Sequence, residues 1–155
     1  RSQPVLECRR FDQEVGHPRR LRGRVPDANT VRGMDLAART EQLFSIFESQ
    51  EFDGLESLLA PDVTMTQNGN PEHDKDGLMA FVQGIKNYGV SVKYSDERRS
   101  VGDGFVVEQH VVTLTRTDGK SASTDVCVVL RFDDDGLIKR LDEYVDSAVF
   151  GALIT

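Results

Sequence analysis

Long apolar stretches are absent from this chain of 155 residues, and its longest apolar runs hold only five residues, as at positions 126–130. A helix that crosses a membrane needs about 20 consecutive apolar residues. Residues 1–33 also lack the apolar segment of a secretory signal. With 29% charged residues, the sequence predicts a soluble protein with no membrane partner.

Cysteine is scarce, since the chain has Cys8 near its N-terminus and Cys127 within an apolar segment. This pair is no disulfide framework, and it favours a reducing, cytoplasmic compartment. The histidines lack metal-ligand spacing, and Cys127 has no neighbouring cysteine. The glycine patterns of phosphate loops, dinucleotide-binding turns and serine-hydrolase elbows are incomplete or missing. We therefore expect neither a metal nor a cofactor.

A net positive charge is found at only one end of the chain. Residues 1–33 carry a net charge of +4 from eight arginines and four acidic residues, whereas residues 34–155 carry −11. The acidic body would repel phosphate, so nucleic acid and anionic membranes are poor partners for it. We expect residues 1–33 to be a poorly ordered extension and the folded domain to span 34–155. The alternative is a nucleic-acid tether, whose salt-dependent binding would be lost on deleting 1–33.

The first half of the domain has helical periodicity. Asp35 is placed to cap a helix over about 35–50, whose apolar residues recur at helical spacing. Asp53 opens a second, short helix, with Glu56 positioned as in a capping box and Pro61 ending it. A short strand at 63–67 and a polar loop at 68–75 follow. Asp76 is predicted to cap the third helix.

The second half alternates as strands do. Tight turns are expected at 118–119 and 133–136, where Asp and Gly residues favour hairpins. The five apolar residues at 126–130 indicate a strand that is buried on both faces. The tail, 147–154, is predicted to add a helical turn. Helices followed by a run of strands predict an α+β fold with an antiparallel sheet.

Two stretches carry a resemblance to a known superfamily. FDGLESLLAPDVTMTQN, at 52–68, looks like a helix-to-strand junction, and VVLRFDDDGLIKRLDEYVD, at 128–146, looks like a closing hairpin. Together, over about residues 36–150, they resemble the nuclear transport factor 2-like superfamily, with its SnoaL-like, ketosteroid-isomerase-like and limonene-epoxide-hydrolase-like members. The resemblance implies a cone-shaped curved sheet, with helices on its concave face and a pocket between them.

The residues of the steroid isomerases in that superfamily do not carry over. Their general-base Asp falls at Gln67, which is no useful base. Their oxyanion-hole Tyr falls near Leu43 and their second Asp near Val128. These departures argue against steroid isomerisation.

The epoxide-hydrolase-like members match in part. Their water-binding Asn corresponds to Asn68, although Thr66 replaces the Tyr found two residues before it. The acidic residue before the Tyr of their closing strand corresponds to Glu143. Their Arg and Asp fall near His110 and Val112, so this constellation is incomplete.

Strand geometry suggests an acid–base pair. A two-residue turn at 118–119 would place His110 opposite Cys127, and a three-residue loop at 134–136 would place Glu143 opposite Cys127 as well. His110 and Glu143 would then face one pocket as catalytic acid–base groups, with Cys127 and Val129 lining it. A loop one residue longer or shorter would turn Glu143 to the other face. The alternative is a core histidine and a solvated Glu143.

Several other residues are candidate ligand contacts. Gln67 and Asn68 end the first long strand, and alternation allows one of them to face the pocket; a loop cap is the alternative. Tyr88 and Tyr94 either pack in the core, which we favour, or line the pocket, and Tyr88 is retained as a candidate contact. His73 is expected to be a solvated loop residue.

The pattern also predicts a partner and a function. If Cys127 and Val129 face the pocket, an apolar patch lies on the other face and predicts a homodimer through the sheet; it comprises Val111, Val126, Val128 and Leu130. We expect a cofactor-independent enzyme of isomerase, cyclase or hydrolase type acting on a small apolar molecule. The alternative is a non-catalytic ligand-binding or dimerisation module of the same fold.

Overall fold

The computed structural model describes residues 30–31, 34–69 and 71–154. The described helices and strands are, in chain order, β1 Thr30–Val31, β2 Met34–Asp35, α1 Leu36–Ser49, a 3-10 helix Phe52–Leu58, β3 Leu59–Gln67, β4 Glu72–His73, α2 Lys75–Asn87, β5 Val90–Gly102, β6 Phe105–Arg116, β7 Ser121–Phe132, β8 Ile138–Val145, a 3-10 helix Ser147–Phe150 and α3 Gly151–Ile154. The expected leader, 1–33, lies outside the described residues except for β1, which pairs with β2. The domain boundary at residue 34 therefore stays a prediction.

Side-chain caps begin both long helices. Asp35 caps α1 as predicted, because its carboxylate accepts hydrogen bonds from the backbone N–H groups of Ala37 at 2.9 Å and Ala38 at 3.2 Å. The predicted cap of α2 is wrong. Asp74, not Asp76, accepts from the N–H of Gly77 at 2.9 Å, and Asp76 lies in the first turn of the helix.

The segment between α1 and α2 differs from the prediction in three ways. The first 3-10 helix begins at Phe52 with no side-chain cap, so the capping box at Asp53 is wrong. The helix ends at Leu58, and Pro61 lies within β3, where a break in strand pairing between Leu59 and Thr64 removes the need for its N–H. The predicted loop at 68–75 contains β4, which pairs with the end of β3.

Six strands form one curved sheet in the order β4-β3-β8-β7-β6-β5, and the fold is α+β as predicted. Neighbouring strands are antiparallel except β3 and β8, which are parallel. The expectation of a wholly antiparallel sheet is therefore wrong for this pair. The chain travels from β3 to β8 through α2 and four further strands, so no tight turn forces the two to reverse direction.

The core lies between the helices and one face of the sheet. α1 packs on β5 and β6, and α2 packs on β3. The strand centres contribute alternate residues to this face, so Val106 on β6 and Val126, Val128 and Leu130 on β7 are buried. The last residues of the chain form short helical turns, as expected.

Two local features set the register of the central strands. The Arg116 N–H donates to the Lys120 carbonyl at 2.8 Å, and Gly119 has φ 86°, so the β6–β7 loop holds three residues instead of the predicted two. The three-residue loop at 134–136 is confirmed, since the Asp133 N–H donates to the Leu137 carbonyl at 2.9 Å. A β-bulge between β7 and β8 then leaves Lys139 without a partner in the ladder. Relative to the prediction, the β6–β7 loop shifts the pairing of β6 with β7 by one residue. The bulge shifts the pairing of β7 with β8 by one residue.

Candidate functional site

The register places the predicted site residues differently from the single row expected. His110 lies opposite Val126, and Glu143 lies opposite Val128. The predicted row of His110, Cys127 and Glu143 is therefore wrong. The two one-residue shifts nevertheless leave His110 and Glu143 on the same face of the sheet, because Val126 and Val128 share that face.

A cavity of about 220 Å³ opens on this face, between α2 and the C-terminal turns. Ten of its lining residues are apolar and five carry a polar group: Phe47, Phe81, Ile85, Val90, Val92, Val112, Leu114, Val145, Phe150 and Leu153, with Gln67, Tyr88, Tyr94, Glu143 and Ser147. A largely apolar wall with a few polar groups is typical of a site for a small organic molecule.

Glu143 is the carboxylic acid in this wall. Gln67 faces it across the parallel β3–β8 pair, and its side-chain Nε2 donates to Glu143 Oε2 at 2.6 Å. Burial raises the pKa of Glu143 above its ordinary value, and the Gln67 hydrogen bond and the charge of His110 oppose that rise only in part. A raised pKa brings a carboxyl group closer to the pH of catalysis, where it can both accept and return a proton.

Tyr94, on β5 at the edge of the sheet, lines the same cavity as Glu143. Burial raises the pKa of Tyr94, and the negative charges of Glu143 and Glu48 raise it further. The phenol is therefore held in its protonated form, in which it can donate a hydrogen bond. The sequence favoured a packing role for Tyr94, but the residue also lines the cavity.

His110 does not line this cavity. Its imidazole is buried behind the rings of Phe44 and Tyr94, and its Nδ1 lies 3.3 Å from Glu108 Oε1. Glu108 is 0% exposed and accepts a second hydrogen bond from Nε of Arg99. The expectation that His110 contacts the ligand directly is not supported by this position, and the alternative of a satisfied core histidine fits the contacts better.

Glu108 is the buried charge that sequence reasoning missed. A sign was available, because Glu108 and His110 alternate with apolar residues along β6 and so share the face of the buried Val106 and Val112. An acidic residue on such a face requires a cationic or hydrogen-bonding partner. Arg99 lies directly opposite Glu108 on β5 and fills that need.

Cys127 and Val129 were predicted to line the pocket, and this is wrong. They point to the outer face of the sheet, where Cys127 pairs with Gln109 and Tyr144 in the ladder and Val129 pairs with Val107. The physical cause is the register shift of one residue. Val126, Val128 and Leu130, which were expected on the outer face, lie in the core.

The structure also separates the remaining candidates. Gln67 faces the cavity, and Asn68 does not. The Asn68 side chain donates to the Val145 carbonyl at 2.8 Å and accepts from the Val145 N–H at 2.9 Å, so it ties the end of β3 to β8. Tyr88 lies in the cavity wall and is 61% exposed, which places it at the mouth.

In residues 30–31, 34–69 and 71–154, no three His, Cys, Asp or Glu side chains converge as a metal site would require. Over the same ranges, no helix combines the length and apolarity needed to cross a bilayer.

The chain thus combines a curved sheet, helices on one of its faces and a cavity between them. The chain belongs to the SnoaL-like domain family, whose model matches residues 40–141. This match confirms the resemblance to the nuclear transport factor 2-like superfamily.

Solved structures share the fold at low sequence identity. A candidate polyketide cyclase from Xanthomonas campestris pv. campestris is 17% identical, with a TM-score of 0.67 over 77% of this chain and 96% of that one. An LEH-like epoxide hydrolase from M. tuberculosis is 16% identical, with a TM-score of 0.62 over 77% of this chain and 88% of that one. Comparison with curated proteins gives no match. At these identities, the likeness establishes the fold alone.

Proposed function

We propose that this protein is a cofactor-independent enzyme of isomerase, cyclase or hydrolase type that acts on a small, largely apolar molecule. The observation that carries the proposal is the Glu143 carboxyl, which faces an apolar cavity and has its pKa raised by burial. The three reaction types share one requirement, a positioned group that moves a proton. Structural neighbours that include a candidate polyketide cyclase and an LEH-like epoxide hydrolase support the proposal.

Glu143 is the acid–base group in this proposal, and Gln67 positions it. The Gln67 amide binds Oε2, which fixes the plane of the carboxyl and leaves Oε1 for a bound molecule. Proton abstraction from a carbon next to a carbonyl is the simplest reaction this arrangement supports. The carboxylate takes the proton, and the C–H bonding pair becomes the double bond of an enolate whose oxygen carries the charge.

Hydrogen–deuterium exchange tests the proposal without the natural substrate. A panel of small cyclic ketones, with 2-tetralone first, is incubated in deuterated buffer, and loss of the proton signals beside the carbonyl is followed by NMR. The wild type is expected to accelerate the exchange, and Glu143→Gln to remove the acceleration. Glu51→Gln is the matched control, because Glu51 is exposed and outside the cavity wall. Exchange that is no faster than in buffer would favour the alternative, a non-catalytic binding module.

We also propose that two copies associate through the outer face of the sheet. The residues predicted for this surface change with the register, but an apolar patch remains. Phe105 and Tyr144 are 37% and 53% exposed, and Cys127 and Val129 lie between them on the same face. Exposed apolar patches of this kind favour association. The cytoplasmic location rests on the scarcity of cysteine and is likewise a proposal.

A further inference from the structure

We propose that Tyr94 is a second ligand-contacting residue, which donates a hydrogen bond to a carbonyl oxygen of the molecule bound over Glu143, and that His110 positions its ring. This inference rests on the proposed function for the ligand class, a small apolar ketone or aldehyde. It adds a residue and a role that strand spacing alone does not give.

The first support is the place of the Tyr94 hydroxyl. Tyr94 lines the same cavity as Glu143. Among the described residues, its hydroxyl has no hydrogen-bond partner. No side-chain nitrogen or oxygen of those residues is both fully buried and unpaired, so the Tyr94 hydroxyl keeps some accessible surface. The hydroxyl is thus a donor that remains available to a molecule in the cavity, and a carbonyl oxygen can accept from it.

The second support is how firmly the ring is held. The Tyr94 N–H donates to Glu48 Oε1 at 2.7 Å, which fixes its backbone to α1. The ring centroid lies 5.1 Å from that of Phe44 at an interplanar angle of 77°, and 4.6 Å from that of His110 at 59°. The ring centroids of Phe44 and His110 lie 4.9 Å apart. A donor fixed in this way before binding loses little freedom when a ligand arrives.

His110 is in turn anchored from below. Its Nδ1 lies 3.3 Å from one oxygen of the fully buried Glu108, and Arg99 binds the other oxygen. Arg99 also contacts Glu97 at 2.8 Å nearer the surface. Because the buried carboxylate is held on both sides, it fixes the imidazole against Tyr94. His110 therefore acts through Tyr94 as a positioning residue.

Burial and the charges around Tyr94 keep its phenol protonated. Burial first, and then the carboxylates of Glu143, Glu48, Glu108 and Glu97, raise the pKa of Tyr94, while His110 packs against its ring. The phenol keeps its proton when Glu143 takes one from the carbon next to the carbonyl. The negative charge that forms on the oxygen is then stabilised by the Tyr94 O–H, with no second proton transfer.

Infrared spectroscopy of a bound probe tests this inference without any turnover. The probe is 2-acetylnaphthalene labelled with 13C at its carbonyl, and its binding is first measured by fluorescence. In the wild type, the carbonyl stretch is expected at lower wavenumber than in Tyr94→Phe, and Tyr94→Phe is expected to bind about fivefold more weakly, as for one hydrogen bond lost. Tyr144→Phe is the matched control, since it removes the hydroxyl of an exposed tyrosine outside the cavity wall, and it should leave the stretch unchanged.

His110→Asn tests the positioning role, because the amide can still bind Glu108 but the ring is lost. The stretch is expected to move toward that of Tyr94→Phe while circular dichroism shows an intact fold. If the carbonyl stretch of the probe stayed at its wild-type wavenumber, His110 would only pack against Tyr94 and would not position it. The same stretch in wild type and Tyr94→Phe, or no saturable binding of the probe, would overturn the inference. If ketone exchange fails while the stretch still shifts, the enzyme proposal falls and the role of Tyr94 stands.

Discussion

The buried carboxylate of Glu108 gives a sharp prediction about stability. Arg99→Met keeps the apolar stem of the side chain and removes its charge. Removing one partner of a buried ion pair costs about 3–5 kcal/mol, because the other charge stays uncompensated. Arg99 retains 19% side-chain exposure, and His110 remains beside Glu108, so we expect the lower end, about 3 kcal/mol. For a domain of this size, that corresponds to a fall in Tm of roughly 6–12 °C.

Urea unfolding followed by circular dichroism measures this change. Arg140→Met is the matched control, because Arg140 pairs with Glu72 and Asp142 at the surface with 37% of its side chain exposed. Surface pairs contribute about 0–1 kcal/mol. The double variant Arg99→Met/Glu108→Leu should recover most of the loss, since neither charge remains. If Arg99→Met cost no more than Arg140→Met, the buried network would not hold this end of the sheet.

Three further predictions concern the cavity and the outer face. Because the folded pKa of Glu143 lies above its ordinary value of 4.5, the folded protein keeps a proton that the unfolded chain loses, so wild-type stability falls as pH rises through that window. The stability of Glu143→Gln relative to wild type should therefore grow with pH, by about 1.4 kcal/mol for each unit by which the folded and unfolded pKa values of Glu143 differ. A constant difference in the free energy of unfolding from pH ~4 to ~9, measured with urea, would contradict this. In a spectrophotometric titration, Tyr94 should be the last of the three tyrosines to ionise, so Tyr94→Phe should remove the final step; loss of an earlier step instead would be incompatible with the raised pKa. Val129→Glu should convert a dimer to a monomer in sedimentation velocity at micromolar concentration, whereas Ser121→Glu, at the end of the same strand, should not; a monomeric wild type would count against the proposed association.

Much of the fold could be predicted because its determinants are local. The Asp35 cap, the apolar stripe of α1 and the alternation in β6 and β7 depend on neighbours within a few residues. The direction of β3 against β8 could not be predicted in the same way, because residues 76–79 positions apart meet there, with a helix and four strands between them in the chain.

The site was only partly predictable, for a physical reason in the strand pairing. A side chain changes face with every single-residue shift. The Asp118-Gly119 pair indicated a turn, but it did not indicate that Thr117 belongs to the loop. The sequence near Lys139 gave no sign of a β-bulge. The two shifts cancel for His110 and Glu143, which still share one face of the sheet. Cys127 is shifted only once relative to His110, so it lies on the outer face.

The central claim is that Glu143 moves protons for a molecule in the cavity, and the pH dependence of ketone exchange tests it most directly. The wild-type rate should rise as Glu143 loses its proton, with a midpoint above the ordinary value for glutamate, because the carboxylate is the base. Glu143→Gln should lower the protein-catalysed rate by roughly 10²–10⁴-fold and remove this pH step. A Glu143→Gln protein with the wild-type rate and profile would contradict the account.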